Sequence, residues 1–390
     1  MGELATMGVG IIGAGQLARM LAMAAKRMGI SLVVQGPCGD DPAVGVASGW
    51  VQGPLGAPEA VKALAEQVDV IGFENELVDL APLQALEQAG VVFRPSLDTL
   101  ASLTDKRRQR RVLQDLNIPV PAWMDLKEAL ACPERLDDLG YPLMAKAASG
   151  GYDGRGLRTI DNAEALKAFV ESVCPEDWYL ERFVDFEREL AMVGARSATG
   201  EFCWYPLLQT RQVGQVCATV LAPAAVPQSV EARAITIIGS LLQQLDYVGV
   251  LAVELFWGPE GLLVNELAPR THNSGHLTIE ACATSQFEQH LRALTGTTLG
   301  PTDLCTPGAF MVNLLGFEDS RKTYAQEQEA MAALSGFHVH WYGKRVSRRG
   351  RKLGHVTRCL TGSTPAQRQQ DIKESMAVVN RIWPVSRAMA

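Results

Sequence analysis

Four clusters hold the residues best able to do chemistry. In the first, Lys146 lies in the apolar stretch Pro142 to Ala147 and is followed by Ser149-Gly150-Gly151-Tyr152-Asp153-Gly154-Arg155-Gly156. Such a glycine-rich backbone can close over phosphates, while a strand-borne lysine supplies a fixed positive charge. The spacing is not GxxxxGK[ST], so this is no P-loop, and the plain alternative is a flexible hairpin tip beside a surface lysine. The second cluster is a hairpin: Glu254 within Leu251 to Trp257, a Gly258-Pro259-Glu260-Gly261 turn, then Asn265-Glu266 within Leu262 to Leu267. Carboxylates inside apolar strands are costly unless something positive joins them. An odd loop would place Glu254 opposite Glu266, about 5 Å apart at Cβ, a pair suited to Mg²⁺. An even loop would set Glu254 against Asn265 instead, and two exposed strand acids would carry no function.

The third cluster follows at once: Arg270, Thr271, His272, Asn273, Ser274 and His276 offer donors for a carboxylate, a bicarbonate or a polar heterocycle. The fourth is Gly13-Ala14-Gly15-Gln16-Leu17-Ala18, a GxGxxA turn between strand and helix, where N–H groups can meet a phosphate. A dinucleotide site also wants an acid ending the second strand, but that strand ends Val33-Val34-Gln35-Gly36 and the first acid is Asp40. A phosphate-bearing substrate or a purely structural turn remain. Near the C-terminus stand Lys344, Arg345, Arg348, Arg349, Arg351 and Lys352. Such a run can bind nucleic acid, form a solvated face or clamp one phosphate. A net charge of −7 weighs against the first, so Arg351 and Lys352 are assigned to a phosphate clamp.

These clusters need a layered scaffold. Short apolar runs at Val9 to Ile12, Leu32 to Val34, Val68 to Phe73 and Val91 to Phe93 read as buried strands, alternating with helices at Gln16 to Met28 and Leu80 to Ala89. That is a parallel α/β unit over residues 1–100. A charged helix, Asp105 to Leu116, is stopped by Ile118-Pro119-Val120-Pro121. Residues 101–300 then read as α+β around a largely antiparallel sheet, with strands at Trp178 to Phe183 and Glu189 to Ala195 and a core helix from Val230 to Leu245. Residues 301–390 form a smaller C-terminal unit. At 390 residues, 47% hydrophobic and 20% charged, the chain has the composition of a fully folded multidomain protein. It has no run of eighteen apolar residues, no signal peptide at Met1 to Thr6, and eight cysteines without CxxC spacing. These features point to a cytoplasmic enzyme without zinc or disulfides.

Taken together, GGYDGRG, the Glu254…Asn265-Glu266 pair and ELAPRTHNSGH resemble the ATP-grasp enzymes, and among them the N5-carboxyaminoimidazole ribonucleotide synthetases of purine biosynthesis. The resemblance runs from Gly10 to about His355. It implies an ATP-grasp fold with a Rossmann-like N-terminal domain, ATP and Mg²⁺ as cofactors, and a homodimer. The implied reaction joins bicarbonate to 5-aminoimidazole ribonucleotide through carboxyphosphate. By that likeness Lys106 and Lys146 contact ATP phosphates and Gly151, Tyr152, Asp153, Gly154, Arg155, Gly156 and Leu157 form the closing loop. Glu181, Arg182, Phe183 and Val184 carry adenine, and Glu189 and Gln212, the latter where a histidine can occur, complete the nucleotide site. Glu254 and Glu266 hold the metal, with Asn265 beside them. Tyr152, Asp153, Arg155, His272, Asn273 and Lys352 serve the reaction. Gly15, Gln16, Leu17, Glu74, Asn75, Arg270, His272, Lys344, Arg351 and Lys352 hold the ribonucleotide. The rival readings are a formate- or amino-acid-dependent ligase or transformylase of the same fold, a nicotinamide-dependent oxidoreductase, and a nucleotide-binding regulator without turnover.

Overall fold

Burial in the N-terminal unit follows the apolar runs. In a computed structural model that describes residues 7–151 and 156–385, β1 (Val9–Ile12), β2 (Leu32–Gly36) and β4 (Val70–Phe73) are buried along their whole length, with β3 (Gly49–Gln52) at the edge. They pair in parallel in the order β3-β2-β1-β4. The helix Gln16–Met28 covers one face and ends at Gly29 in the left-handed conformation, which a glycine adopts without steric cost. The expected strand at Val91 to Phe93 shrinks to a single bridge, Ile71 to Phe93. Pro95 follows two residues later and has no N–H with which to extend a ladder. The expected helix from Leu80 to Ala89 divides into a 3-10 turn, Ala81–Leu83, and a short helix, Gln84–Gln88.

Two antiparallel sheets build the rest. The smaller consists of β5 (Trp123–Asp125), β6 (Leu143–Ala147), β7 (Leu157–Ile160) and β8 (Trp178–Arg182), ordered β5-β8-β6-β7. The larger contains β9 (Arg188–Arg196), β10 (Phe202–Trp204), β11 (Leu208–Val213), β12 (Val216–Ala222), β13 (Gly249–Gly258), β14 (Gly261–Ala268), β15 (Gly308–Leu315), β16 (Phe337–Trp341) and β17 (Lys352–Leu360). Among the described residues its order is β14-β13-β9-β11-β12-β15-β17-β16, with β10 on β9. The ladder therefore continues past residue 300: β15 pairs with β12, and the C-terminal strands extend the same sheet. The helix Pro365–Ile382 closes this end, with Trp383 Nε1 donating to Leu315 O at 2.8 Å.

The helix Gln228–Gln244 buries Val230, Ala234, Ile237, Ile238, Leu241 and Leu242 at helical spacing, as its sequence predicts. It packs on β9 and β13, where a Cβ at Gly194 would stand 2.7 Å from the Ile238 side chain. A side chain at position 194 would therefore push the helix off the sheet. Leu241 has no exposed surface. Leu241→Ala is expected to cost about 2–5 kcal/mol, read as a lower urea midpoint with an unchanged slope.

Candidate functional site

The site is built on the β13–β14 hairpin. Gly258 pairs with Gly261, so the tip is the two residues Pro259-Glu260, an even loop that should face Glu254 with Asn265. The register instead shifts beyond Leu255: Leu255 pairs with Val264 and Glu254 with Glu266, leaving Asn265 as the extra residue of a β-bulge. The bulge, not the loop, brings the two carboxylates opposite one another. Asn265 Oδ1 accepts from Lys146 Nζ at 3.0 Å and its Nδ2 donates to Glu254 Oε2 at 3.3 Å. Lys106 Nζ lies 3.0 Å from Glu266 Oε2.

Beneath this surface sits Arg110, almost fully buried. Its Nε pairs with Glu181, its Nη1 donates to Val264 O at 3.4 Å, and its Nη2 donates to Asn265 O. Glu181 Oε2 in turn meets Lys146 Nζ at 2.5 Å. Burial works to raise the pKa of Glu181, but Arg110 and Lys146 hold it below the ordinary carboxylate range. The Glu181 carboxylate thus points to the lysine. Arg182 and Phe183 spend their N–H groups on Ala122 O and Pro142 O, at 2.8 and 3.3 Å. The Phe183 ring is 42% exposed, while Val184 is buried. Glu189 accepts from Gln212 N–H at 3.1 Å, and burial, aided by nearby Glu254 and opposed by that bond, pushes its pKa up to about 7.

His272 sits over Glu254, its Nε2 3.3 Å from Oε1. Its Nδ1 lies 3.3 Å from Ser274 N–H and 2.8 Å from Ser274 Oγ, an arrangement that accommodates the Nε2-protonated ring with its proton facing the carboxylate. Burial opposes ionisation of Glu254, yet its hydrogen bond to His272 and the nearby Lys106 and Lys352 hold its pKa below the ordinary carboxylate range. Gln286, fully buried, clasps the His272 main chain from both sides, accepting from N at 2.9 Å and donating to O at 2.6 Å. A Cβ at Gly275 would stand 2.6 Å from Gln286 Oε1, so the HNSGH glycine is the space this clasp needs. Asn273 requires a correction. Expected to meet the acid substrate, it is buried in a reciprocal amide pair with Asn313, at 3.0 and 2.7 Å, and braces the loop from within.

The glycine turn also needs correction. Glu74, buried, accepts from Gly15 N at 2.6 Å, Leu17 N at 3.0 Å and Ala18 N at 3.4 Å. A carboxylate already fills the anion niche, so neither a substrate phosphate nor a dinucleotide pyrophosphate can use the N–H groups of Gly15 and Leu17. Gln16 is engaged differently, accepting from Lys344 Nζ, which also lies 5.6 Å over the Tyr342 ring. Asn75 accepts from Leu77 N–H in a local turn. Arg270 forms a two-point pair with Glu76 at 2.6 and 3.3 Å. Lys352 opens β17 within electrostatic reach of Glu254, whereas Arg351 donates to Val346 O at 2.8 Å and exposed Arg345 pairs with Asp40.

Tyr152, Asp153, Gly154 and Arg155 lie outside the described residues; Gly151 and Gly156 flank them, and Gly156 O accepts from Ala147 N at 2.8 Å, joining Leu157 and the start of β7 to the end of β6. Sequence reasoning missed Arg110, Glu76, Gln286 and Asn313. For Arg110 one signal existed: it lies three residues before buried Leu113 on the inner face of the helix Lys106–Asp115. The raised pKa of Glu189 has a sign. A carboxyl that holds its proton more tightly when folded stabilises the fold at low pH, and that contribution is lost as pH rises from about 4.5 to about 7. Unliganded protein should lose stability over that window, and Glu189→Gln should flatten the slope in melting curves taken at successive pH values.

Three family models match consecutive parts of the chain: the ribonucleotide synthetase preATP-grasp domain over residues 6–103, the ATP-grasp domain over 111–287, and the phosphoribosylaminoimidazole carboxylase C-terminal domain over 309–370. A curated relative from Synechococcus elongatus, an N5-carboxyaminoimidazole ribonucleotide synthase, is 46% identical over 376 residues, covering 96% of this chain and 95% of its own. The crystal structure of the Thermus thermophilus N5-carboxyaminoimidazole ribonucleotide synthetase superposes with a TM-score of 0.85 at 34% identity, covering 96% and 98% of the two chains. That of the Aspergillus clavatus N5-carboxyaminoimidazole synthase, in complex with ADP and 5-aminoimidazole ribonucleotide, gives 0.86 at 30% identity, covering 96% and 99%. The three domains in this order, over a sheet that binds its charges through one bulged hairpin, leave a single assignment: the chain belongs to the N5-carboxyaminoimidazole ribonucleotide synthase family of ATP-grasp ligases.

Proposed function

We propose that the chain carboxylates 5-aminoimidazole ribonucleotide with bicarbonate at the expense of ATP, as a step of purine biosynthesis. A bicarbonate oxygen attacks the γ-phosphorus, ADP leaves, and the ribonucleotide amine attacks the carbon of the resulting carboxyphosphate. Phosphate departs with the C–O bonding pair and the nitrogen loses a proton. Support for the ligands comes from the Aspergillus clavatus relative, solved with ADP and 5-aminoimidazole ribonucleotide. The observation that carries the reading within this chain is the bulge that sets Glu254 and Glu266 face to face beside Lys106 and Lys146.

That donor set fits Mg²⁺, a hard cation that takes one or two carboxylates and completes its shell with water and phosphate oxygens. Glu254 and Glu266 would hold it, and it would neutralise charge on the transferring phosphoryl group. The chain's own groups do the remainder. Lys146, fixed by Glu181, and Lys106, fixed by Glu266, present positive charge to the phosphates. His272 aims its Nε2 proton at the carboxylate face where bicarbonate would lie, with Arg270 alongside. Glu74, Gln16, Lys344 and Lys352 line the side nearest the N-terminal sheet, where ribose hydroxyls and a phosphate find an acceptor and cations respectively. The loop 151–157 would shut out water, to which carboxyphosphate is vulnerable. Among the described residues no helix is long and apolar enough to cross a membrane; a homodimer rests on the family resemblance alone.

Phosphate release from Mg-ATP and bicarbonate, measured with and without the ribonucleotide, tests the assignment directly: stimulation is expected, and its absence would remove 5-aminoimidazole ribonucleotide as substrate. Glu266→Gln should keep the fold by circular dichroism yet lose turnover; near-normal rates at low Mg²⁺ would refute the metal role. Lys352→Ala removes one charge-assisted contact worth about 1.5–3 kcal/mol, so the KM for the ribonucleotide should rise by roughly ten- to a hundredfold.

A further inference from the structure

Glu76 and Arg270 are 194 residues apart and join the N-terminal sheet to the loop that follows the β13–β14 hairpin. The guanidinium spends Nε and Nη2 on the two oxygens of Glu76, at 2.6 and 3.3 Å, and Nη1 on Thr271 O at 3.2 Å. The Nε–Nη2 edge is a fork whose two parallel donors match a planar carboxylate or bicarbonate. With Glu76 in that fork, an arriving bicarbonate meets a neutralised pair rather than a cation, with the carboxylates of Glu74 and Glu266 nearby. Glu76 itself lies between two unlike neighbours. Glu74 is anchored on the N–H groups that open the helix Gln16–Met28, while Leu77 is 48% exposed. Beyond Glu76 the chain is held only by the local Asn75–Leu77 turn, so the carboxylate can leave the fork by a side-chain rotation without moving the anchored Glu74.

We infer that Glu76 is a positioning residue acting through Arg270: it occupies the arginine fork until the ribonucleotide, with its amine and hydroxyl donors, draws the carboxylate away and frees the fork for bicarbonate. The inference rests on the function proposed above. ATP would then be cleaved only when the amine that captures the carboxyphosphate is in place. A ligand shifts such an equilibrium only as far as it favours the released state, and typical coupling of this kind amounts to about five- to a hundredfold.

The test is bicarbonate-dependent phosphate release by Glu76→Gln and Glu76→Asp, each with and without 5-aminoimidazole ribonucleotide, with thermal melts to verify folding. In the absence of ribonucleotide, Glu76→Gln should raise the rate by roughly tenfold and lower the KM for bicarbonate, so that the stimulation ratio approaches one. Glu76→Asp, which keeps the charge but withdraws it by one carbon, should fall between; should Glu76→Gln not fold, this variant decides. A brace without a gating role would lower both activities together and leave their ratio unchanged, and that result, or an unchanged KM for bicarbonate without ribonucleotide, overturns the inference. If wild type shows no ribonucleotide stimulation while Glu76→Gln still raises the basal rate, the substrate assignment fails and the action of Glu76 on Arg270 stands.

Discussion

One buried guanidinium organises the catalytic surface. Arg110 pairs with Glu181 and reaches the main-chain oxygens of Val264 and Asn265. Through Glu181 it orients Lys146, and through the bulge it sets Asn265 and Glu266. Lys146 and the paired carboxylates of Glu254 and Glu266, which come from different sheets, are thereby referred to a single point. Removing one partner of a buried ion pair costs about 3–5 kcal/mol, because the other charge is left without compensation. Here every member is compensated: Glu181 meets two cations, and Lys146 gains Asn265 Oδ1 as well. The network can therefore stay charged in a nearly water-free interior and hold its surface groups still.

A second constraint ties the N-terminal sheet to the rest. Glu74 takes the place of a ligand at the helix N-terminus, and two residues later Glu76 engages Arg270. Lys344, from the C-terminal strands, reaches Gln16 at the same turn. Side-chain contacts thus join residues from all three parts of the chain. The continuous ladder from β12 into β15 and β17 makes that possible, since it fixes Lys352 relative to the hairpin without any flexible linker. Buried polar groups do similar work elsewhere. Gln286 and Asn313, both without exposed surface, clasp the His272 main chain and the Asn273 amide, so that the HNSGH segment is shaped from behind.

Much of this was legible in residue types and spacing. The helix Gln16–Met28 follows its expected bounds, the inner face of the helix Gln228–Gln244 follows its 3.6-residue period, and the two hairpin acids face one another. Local chemistry determines these features: apolar periodicity selects the buried face, glycine selects turns, and an acid in an apolar strand demands a partner. Family motifs added the reaction, because ELAPRTHNSGH together with GGYDGRG is specific enough to identify it.

What the sequence could not decide were matters of partner and register. An even hairpin loop points Glu254 at Asn265, and only pairing with Arg110 and the neighbouring strands introduces the bulge that turns Glu266 to the same face. The GxGxxA turn carries every local mark of a phosphate site, but a carboxylate 59 residues away, Glu74, settles into it. Asn273 has the donors of a substrate contact, yet Asn313 claims them from 40 residues away. In each case the local residues state what a group is able to bond, while the fold brings several candidates within reach and burial makes the best-compensated pairing the stable one. The sequence by itself thus determined the fold class and the inventory of charged and polar groups; the tertiary structure decided which of them pair with each other and which are left facing the substrate, because that choice depends on distances between segments far apart in the chain.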